Sequence, residues 1–105
     1  KNGEAPVITF LDGLTSEQAK KVTWVMKLVE EMPKITTQYF KKLKGTDDIW
    51  EIRVIYAGNI FRILGFFIRN QEFVATNGFQ KKTQLTPKSE IKLAERYKKL
   101  YVGGT

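Results

Sequence analysis

The sequence contains no cysteine and no histidine. The first absence removes disulfides, thiolate nucleophiles and cysteine-based metal sites. The second removes the usual imidazole base and the commonest metal ligand. No apolar run approaches the roughly 20 residues that a membrane-spanning helix needs, and no secretory leader is expected. A chain without cysteine suits the cytoplasm, where disulfides are rare. Its chemistry must therefore rest on carboxylates, lysines, arginines, hydroxyls and backbone groups.

What is present is one domain's worth of apolar residues and a surplus of positive charge. With 105 residues and 42% hydrophobic content, the chain is expected to form one compact domain over residues 1–105 with a single core. Eighteen Lys and Arg against 11 Asp and Glu leave a formal net charge of +7. That balance suits a polyanionic partner, either nucleic acid or an acidic protein. A merely solvated lysine-rich surface would give the same number.

Along the chain, Val7 to Leu14 reads as a short extended or turn segment. Thr15 followed by Gln18 has the form of a capping box. Ala19, Val22, Val25, Met26 and Val29 then recur at helical spacing, and Pro33 should end that helix or begin the next. A second, shorter helix is expected from about Ile35 to Leu43, with a turn at 45–48. Ile49 to Tyr56, Ile60 to Ile68 and Phe73 to Phe79 are rich in β-branched and aromatic residues and read as three antiparallel strands. Thr86 and Pro87 resemble an N-cap and a first helical position. A basic helix should follow to about Tyr101, with Ile91, Ala94, Tyr97 and Tyr101 facing inward. The predicted class is α+β: an N-terminal helical hairpin laid on a small antiparallel sheet, then a C-terminal helix.

The strand pair around Gly58 carries charges that need a reason. Side chains alternate across a strand, so Glu51 and Arg53 share one face, opposite Trp50, Ile52, Val54 and Tyr56. A two-residue loop at Gly58 and Asn59 would pair Ile55 with Arg62, adding Arg62 to the charged face and leaving Phe61, Ile63 and Phe67 on the core face. A three-residue loop would place an arginine among aromatics. Taken alone, the three charges read as a cross-strand ion-pair cluster. Lys81 and Lys82, close to Thr83, Gln84, Thr86 and a helix N-terminus, add a phosphate-binding environment.

Three segments now match a known pattern: Trp50 to Arg53, the Phe61 and Arg62 pair, and Gly78 to Glu90, which reads G-F-Q-K-K-T-Q-L-T-P-K-S-E. They resemble the RelE/ParE toxin superfamily, and within it the phage-derived, HigB-like branch. Pro6 to Asp12 is also similar to that branch, so the resemblance covers essentially the whole chain. Family members open with a β-strand ahead of the proline-valine segment. That strand is expected to precede residue 1, completing three visible strands to at least four.

The resemblance implies the toxin of a type II toxin–antitoxin system, a ribosome-dependent mRNA endoribonuclease acting in the ribosomal A site. It implies no cofactor and no metal, and as partners the 70S ribosome, mRNA and a helix-turn-helix antitoxin. Arg53 and Arg62 match basic positions that contact and cleave RNA in the RelE pattern, and Lys82 or Lys81 stands near a third. In the implied reaction the RNA 2′-OH attacks the adjacent phosphate. The arginines would stabilise the anionic transition state, Glu51 or a lysine would take the proton, and Lys82 or Lys81 would assist the leaving oxygen. Lys81, Thr83, Lys88 and Lys92 are candidate RNA contacts, the last two on a basic helix that also carries Arg96, Lys98 and Lys99. Arg53→Ala or Arg62→Ala should abolish toxicity while leaving the fold intact. The ParE branch offers a second expectation, a non-catalytic poison of DNA gyrase. A third is an inactive basic binding module.

Overall fold

The computed structural model describes residues 6–31, 40–68, 72–80 and 86–103. Two helices come first: α1 (Pro6–Asp12) and α2 (Ser16–Glu31). The capping box forms as predicted. The Thr15 amide donates to Gln18 Oε1 at 3.0 Å, and the Gln18 amide donates to Thr15 Oγ1 at 3.2 Å. Val22, Val25 and Val29 form the buried stripe of α2. The segment Val7 to Leu14, expected to be extended or a turn, is instead mostly the helix α1. Pro6 suits a first helical position because its missing N–H would be unpaired there anyway. Tertiary packing outweighs the β-branched residues: Val7 is buried, and the Phe10 ring lies edge-on to Phe61, 6.1 Å between centroids. Phe10 also covers Gly78, where a Cβ would stand 2.5 Å from the ring.

The sheet has the order β1-β2-β3-β4 and every neighbouring pair is antiparallel. Its strands are β1 (Phe40–Lys42), β2 (Trp50–Tyr56), β3 (Asn59–Ile68) and β4 (Glu72–Gln80). β1 corrects the sequence reading. The helix predicted from Ile35 to Leu43 is a strand over its described C-terminal part, while residues 35–39 lie outside the described residues. β1 adds a described strand from inside the chain to the three read from the sequence. An aromatic cluster explains the override of helical spacing. Phe40, paired with Ile52 beside β2, stacks on Trp50 at 4.6 Å and meets Phe67 and Phe73 edge-on.

The β2–β3 hairpin has a two-residue loop, one position earlier than predicted. Ala57 and Gly58 form it, both at positive φ (50° and 82°), as a type I′ turn requires. Tyr56 therefore pairs with Asn59, Val54 with Phe61 and Ile52 with Ile63. The predicted register would have put Ile52 opposite Gly65, so apolar pairing decides the turn. The shift is even, and the faces stay as expected.

α1 and α2 cover the face that carries Ile52, Val54, Phe61, Ile63 and Phe73. On the opposite face α3 (Lys88–Gly103) packs Ala94 and Ile91 against Ile49, Leu64 and Phe79. The helical pair beneath the sheet is thus α1 with α2. Tyr97 is half-buried as expected, but Tyr101 is 51% exposed and meets the Phe66 ring edge-on. Polar ties supplement this small apolar contact. Asn77 Nδ2 donates to the Glu90 carbonyl and to Glu90 Oε1. Farther along, Glu95 accepts from the Asp47 amide, and Lys98 donates to the Asp47 carbonyl at 2.6 Å. No described helix is long and apolar enough to cross a membrane.

Candidate functional site

The site lies on the α3 face of the sheet, where the period-2 pattern places Glu51, Arg53 and Arg62 together. Arg53 and Arg62 are direct cross-strand partners. Like charges set opposite each other destabilise a strand pair, so the arrangement requires a compensating anion. Glu51 supplies part of it. Its Oε1 accepts from Arg62 Nη1 at 2.6 Å, along the sheet diagonal, and its Oε2 accepts from the Thr86 hydroxyl, also at 2.6 Å.

Burial makes this a different object from a surface ion pair. Glu51 is 2% exposed and Arg62 6%. The other described ion pairs, Lys42 with Asp48 and Lys98 with Asp47, each have an aspartate side chain more than 60% exposed. Glu51 engages Arg62 directly, and the buried Nε of both Arg53 and Arg62 has no hydrogen-bond partner among the described residues. Buried donors are rarely left without an acceptor. The planar guanidinium is the side chain best matched to a phosphate group.

The structure therefore brings together Glu51, Arg53 and Arg62, three of the predicted residues. Lys82, Lys81 and Thr83 lie outside the described residues. Lys88 and Lys92 do not enter the arginine cluster. They stand on the exposed face of α3, in a stripe continued by Arg96 and Lys99.

Two residues gain places that sequence reasoning did not assign. Thr86, predicted as the N-cap, gives its hydroxyl to Glu51. The first helical carbonyl acceptor is Pro87, which receives the amides of Glu90 and Ile91. The threonine-proline pair was a visible signal, but a local rule could not reveal a partner 35 residues away. Lys41, expected on a helix, lies exposed on edge strand β1, directly opposite Glu51. It adds a cation to the open side of the same face, and only the β1–β2 register reveals it.

A family model described as "Phage derived protein Gp49-like (DUF891)" matches residues 9–99, a span holding every site residue named above. The chain belongs to the phage-derived Gp49-like family. This is a RelE/HigB-like toxin family. The α+β architecture, three helices with a four-stranded antiparallel sheet, is compatible with a RelE-like fold. No curated protein matches the chain.

Proposed function

We propose that this Gp49-like protein is the toxin of a type II toxin–antitoxin system and inhibits translation as a ribosome-dependent mRNA endoribonuclease. The observation that carries the reading is the directly opposed Arg53 and Arg62 pair on the sheet face that also holds Glu51. In the proposed reaction the 2′-oxygen of one nucleotide attacks the adjacent phosphorus and the bond to the 5′-oxygen breaks. The products are a 2′,3′-cyclic phosphate and a free 5′-hydroxyl. One proton leaves the 2′-OH and one reaches the departing oxygen, so the reaction needs no redox partner.

Charge accumulates on the non-bridging oxygens in the transition state, where two fixed guanidiniums are most effective. Glu51 serves this reading as the group that holds Arg62, because both of its oxygens are already engaged away from solvent. The proton transfers are then assigned to Lys82 or Lys81. Lys88 and Lys92, with Lys81 and Thr83, are assigned to RNA phosphates. Such contacts position the substrate rather than read its sequence. A site without a dedicated strong base gains most from having its substrate oriented for it. That favours mRNA held in the ribosomal A site over free RNA. The proposed partners are therefore the 70S ribosome with mRNA and a helix-turn-helix antitoxin, all in the cytoplasm.

The test is an in vitro translation reaction with mapped mRNA 5′ ends, run with wild type and Arg53→Ala. Cleavage within codons by wild type and its loss in the variant are expected. Stalled synthesis with intact mRNA, alongside inhibition of gyrase supercoiling, would replace this reading with a gyrase poison. No effect in either assay would leave an inactive binding module.

A further inference from the structure

We infer that Thr86 is a positioning residue for the arginine pair: its hydroxyl locks the Glu51 carboxylate, and through it the Arg62 guanidinium, in the orientation that receives phosphate. The inference rests on the nuclease reading above and adds a residue to it. A glutamate held at one oxygen can still turn about its terminal torsion, which is broad and roughly two-fold. Arg62 Nη1 engages Oε1 and the Thr86 hydroxyl engages Oε2, each at 2.6 Å. Together the two contacts define the carboxylate plane. Removing the second frees the plane, and the guanidinium follows the carboxylate.

Local backbone chemistry explains why Thr86 is free for this task. Proline at 87 disfavours the helical region for the residue before it, and Thr86 precedes the helix rather than joining it. The hydroxyl is thereby turned from the helix it precedes toward the sheet. The first turn of α3 closes on the Pro87 carbonyl instead. The docking of α3 does not depend on Thr86 alone, because Asn77 holds Glu90 from β4 and Ile91 and Ala94 pack against Leu64 and Ile49. The loss of one hydroxyl therefore disturbs the arginine more than the helix.

Thr86→Val keeps the shape and removes the donor; Thr86→Ser keeps the donor. In translation reactions on a defined mRNA, Thr86→Val should lower the cleavage rate at saturating ribosomes on the order of 10- to 100-fold, the scale set by misplacing a catalytic group by about 1 Å. The half-saturating ribosome concentration should stay within about twofold, since the RNA contacts on α3 are untouched. Thr86→Ser should recover most of the rate. In a Glu51→Gln background, Thr86→Val should add little, because the two residues act as one unit. The Arg62 Hε proton, followed by NMR in the free protein, should exchange faster in Thr86→Val than in wild type. Should the valine variant fail to fold, Thr86→Ala carries the same expectations. A folded Thr86→Val that cleaves like wild type overturns the assignment while leaving the nuclease reading in place. So does a Thr86→Ser no better than Thr86→Val. A wild-type protein that does not cleave overturns the nuclease reading itself.

Discussion

Removing the Glu51 carboxylate tests the architecture of the site independently of its activity. The Glu51 and Arg62 side chains are 1% and 7% exposed, with N and O 2.6 Å apart. The solvent screening that makes surface ion pairs nearly worthless therefore does not apply. Glu51→Ala leaves the Arg62 charge buried and directly opposite Arg53, and it takes away the acceptor of the Thr86 hydroxyl. Breaking a buried pair from one side costs about 3–5 kcal/mol, against a total stability of about 5–15 kcal/mol for a small domain. The melting temperature should fall by on the order of 20 °C. Glu51→Gln keeps the volume and one acceptor oxygen, and should lose about half as much, since neutral hydrogen bonds are about half as strong as charged ones. Replacing both partners with apolar residues, Glu51→Leu with Arg62→Met, removes the two charges together. That double variant should lie within about 1–2 kcal/mol of wild type. Urea unfolding followed by circular dichroism and tryptophan fluorescence measures all three. A Glu51→Ala loss under about 1 kcal/mol, the range of exposed pairs, would refute the buried coupling. So would a double variant as unstable as the sum of the two single ones.

The same coupling separates the two arginines. Arg53→Ala should abolish mRNA cleavage with little change in unfolding midpoint, whereas Arg62→Ala should lose both activity and about 3–5 kcal/mol by stranding Glu51; the expectation that either substitution leaves the fold intact is thus kept for Arg53 only. Ala57 sits at φ 50° in the hairpin turn, so Ala57→Asn, giving the favoured Asn-Gly pair, should raise stability by about 0.5–1 kcal/mol in urea unfolding. At Gly65, beside the β3–β4 bulge, a Cβ would overlap the Val74 carbonyl and stand 2.5 Å from the Phe73 ring; Gly65→Ala should cost about 1–3 kcal/mol or prevent folding, read by thermal melts. The Lys42 ammonium, hydrogen-bonded to Asp48 at 2.7 Å, holds that carboxyl below the ordinary aspartate range. Its small contribution is therefore present above the ordinary aspartate pKa and lost as pH falls through the lowered one. An NMR titration should show the Asp48 midpoint rise in Lys42→Ala, and an unchanged midpoint would remove Lys42 as the cause.

Much of this protein was legible from residue order, because some of its determinants are local or periodic. The capping box at Thr15 and Gln18 concerns residues three positions apart and forms as read. The three long strands announce themselves through β-branched and aromatic content. The grouping of Glu51, Arg53 and Arg62 on one face survived a register error, since a slip of two residues leaves every side chain on its own face. Other features depend on which distant surface is available. Residues 40–42 carry no strong strand signal of their own; the Trp50, Phe67 and Phe73 rings give Phe40 a reason to be extended. The β-branched start of α1 is helical because Phe10 finds Gly78 and Phe61.

By itself, then, the sequence determined the α+β class, the positive charge and the shared face of the two arginines, all consequences of composition and of the two-residue repeat of a strand. Only the tertiary structure decided that Arg53 and Arg62 stand opposite each other, that Glu51 is buried between Arg62 and Thr86, and that Thr86 serves the sheet and not its own helix. Those outcomes follow from long-range pairing and desolvation, where the partner of a charge is set by what the fold brings within 3 Å and not by what adjoins it in the chain.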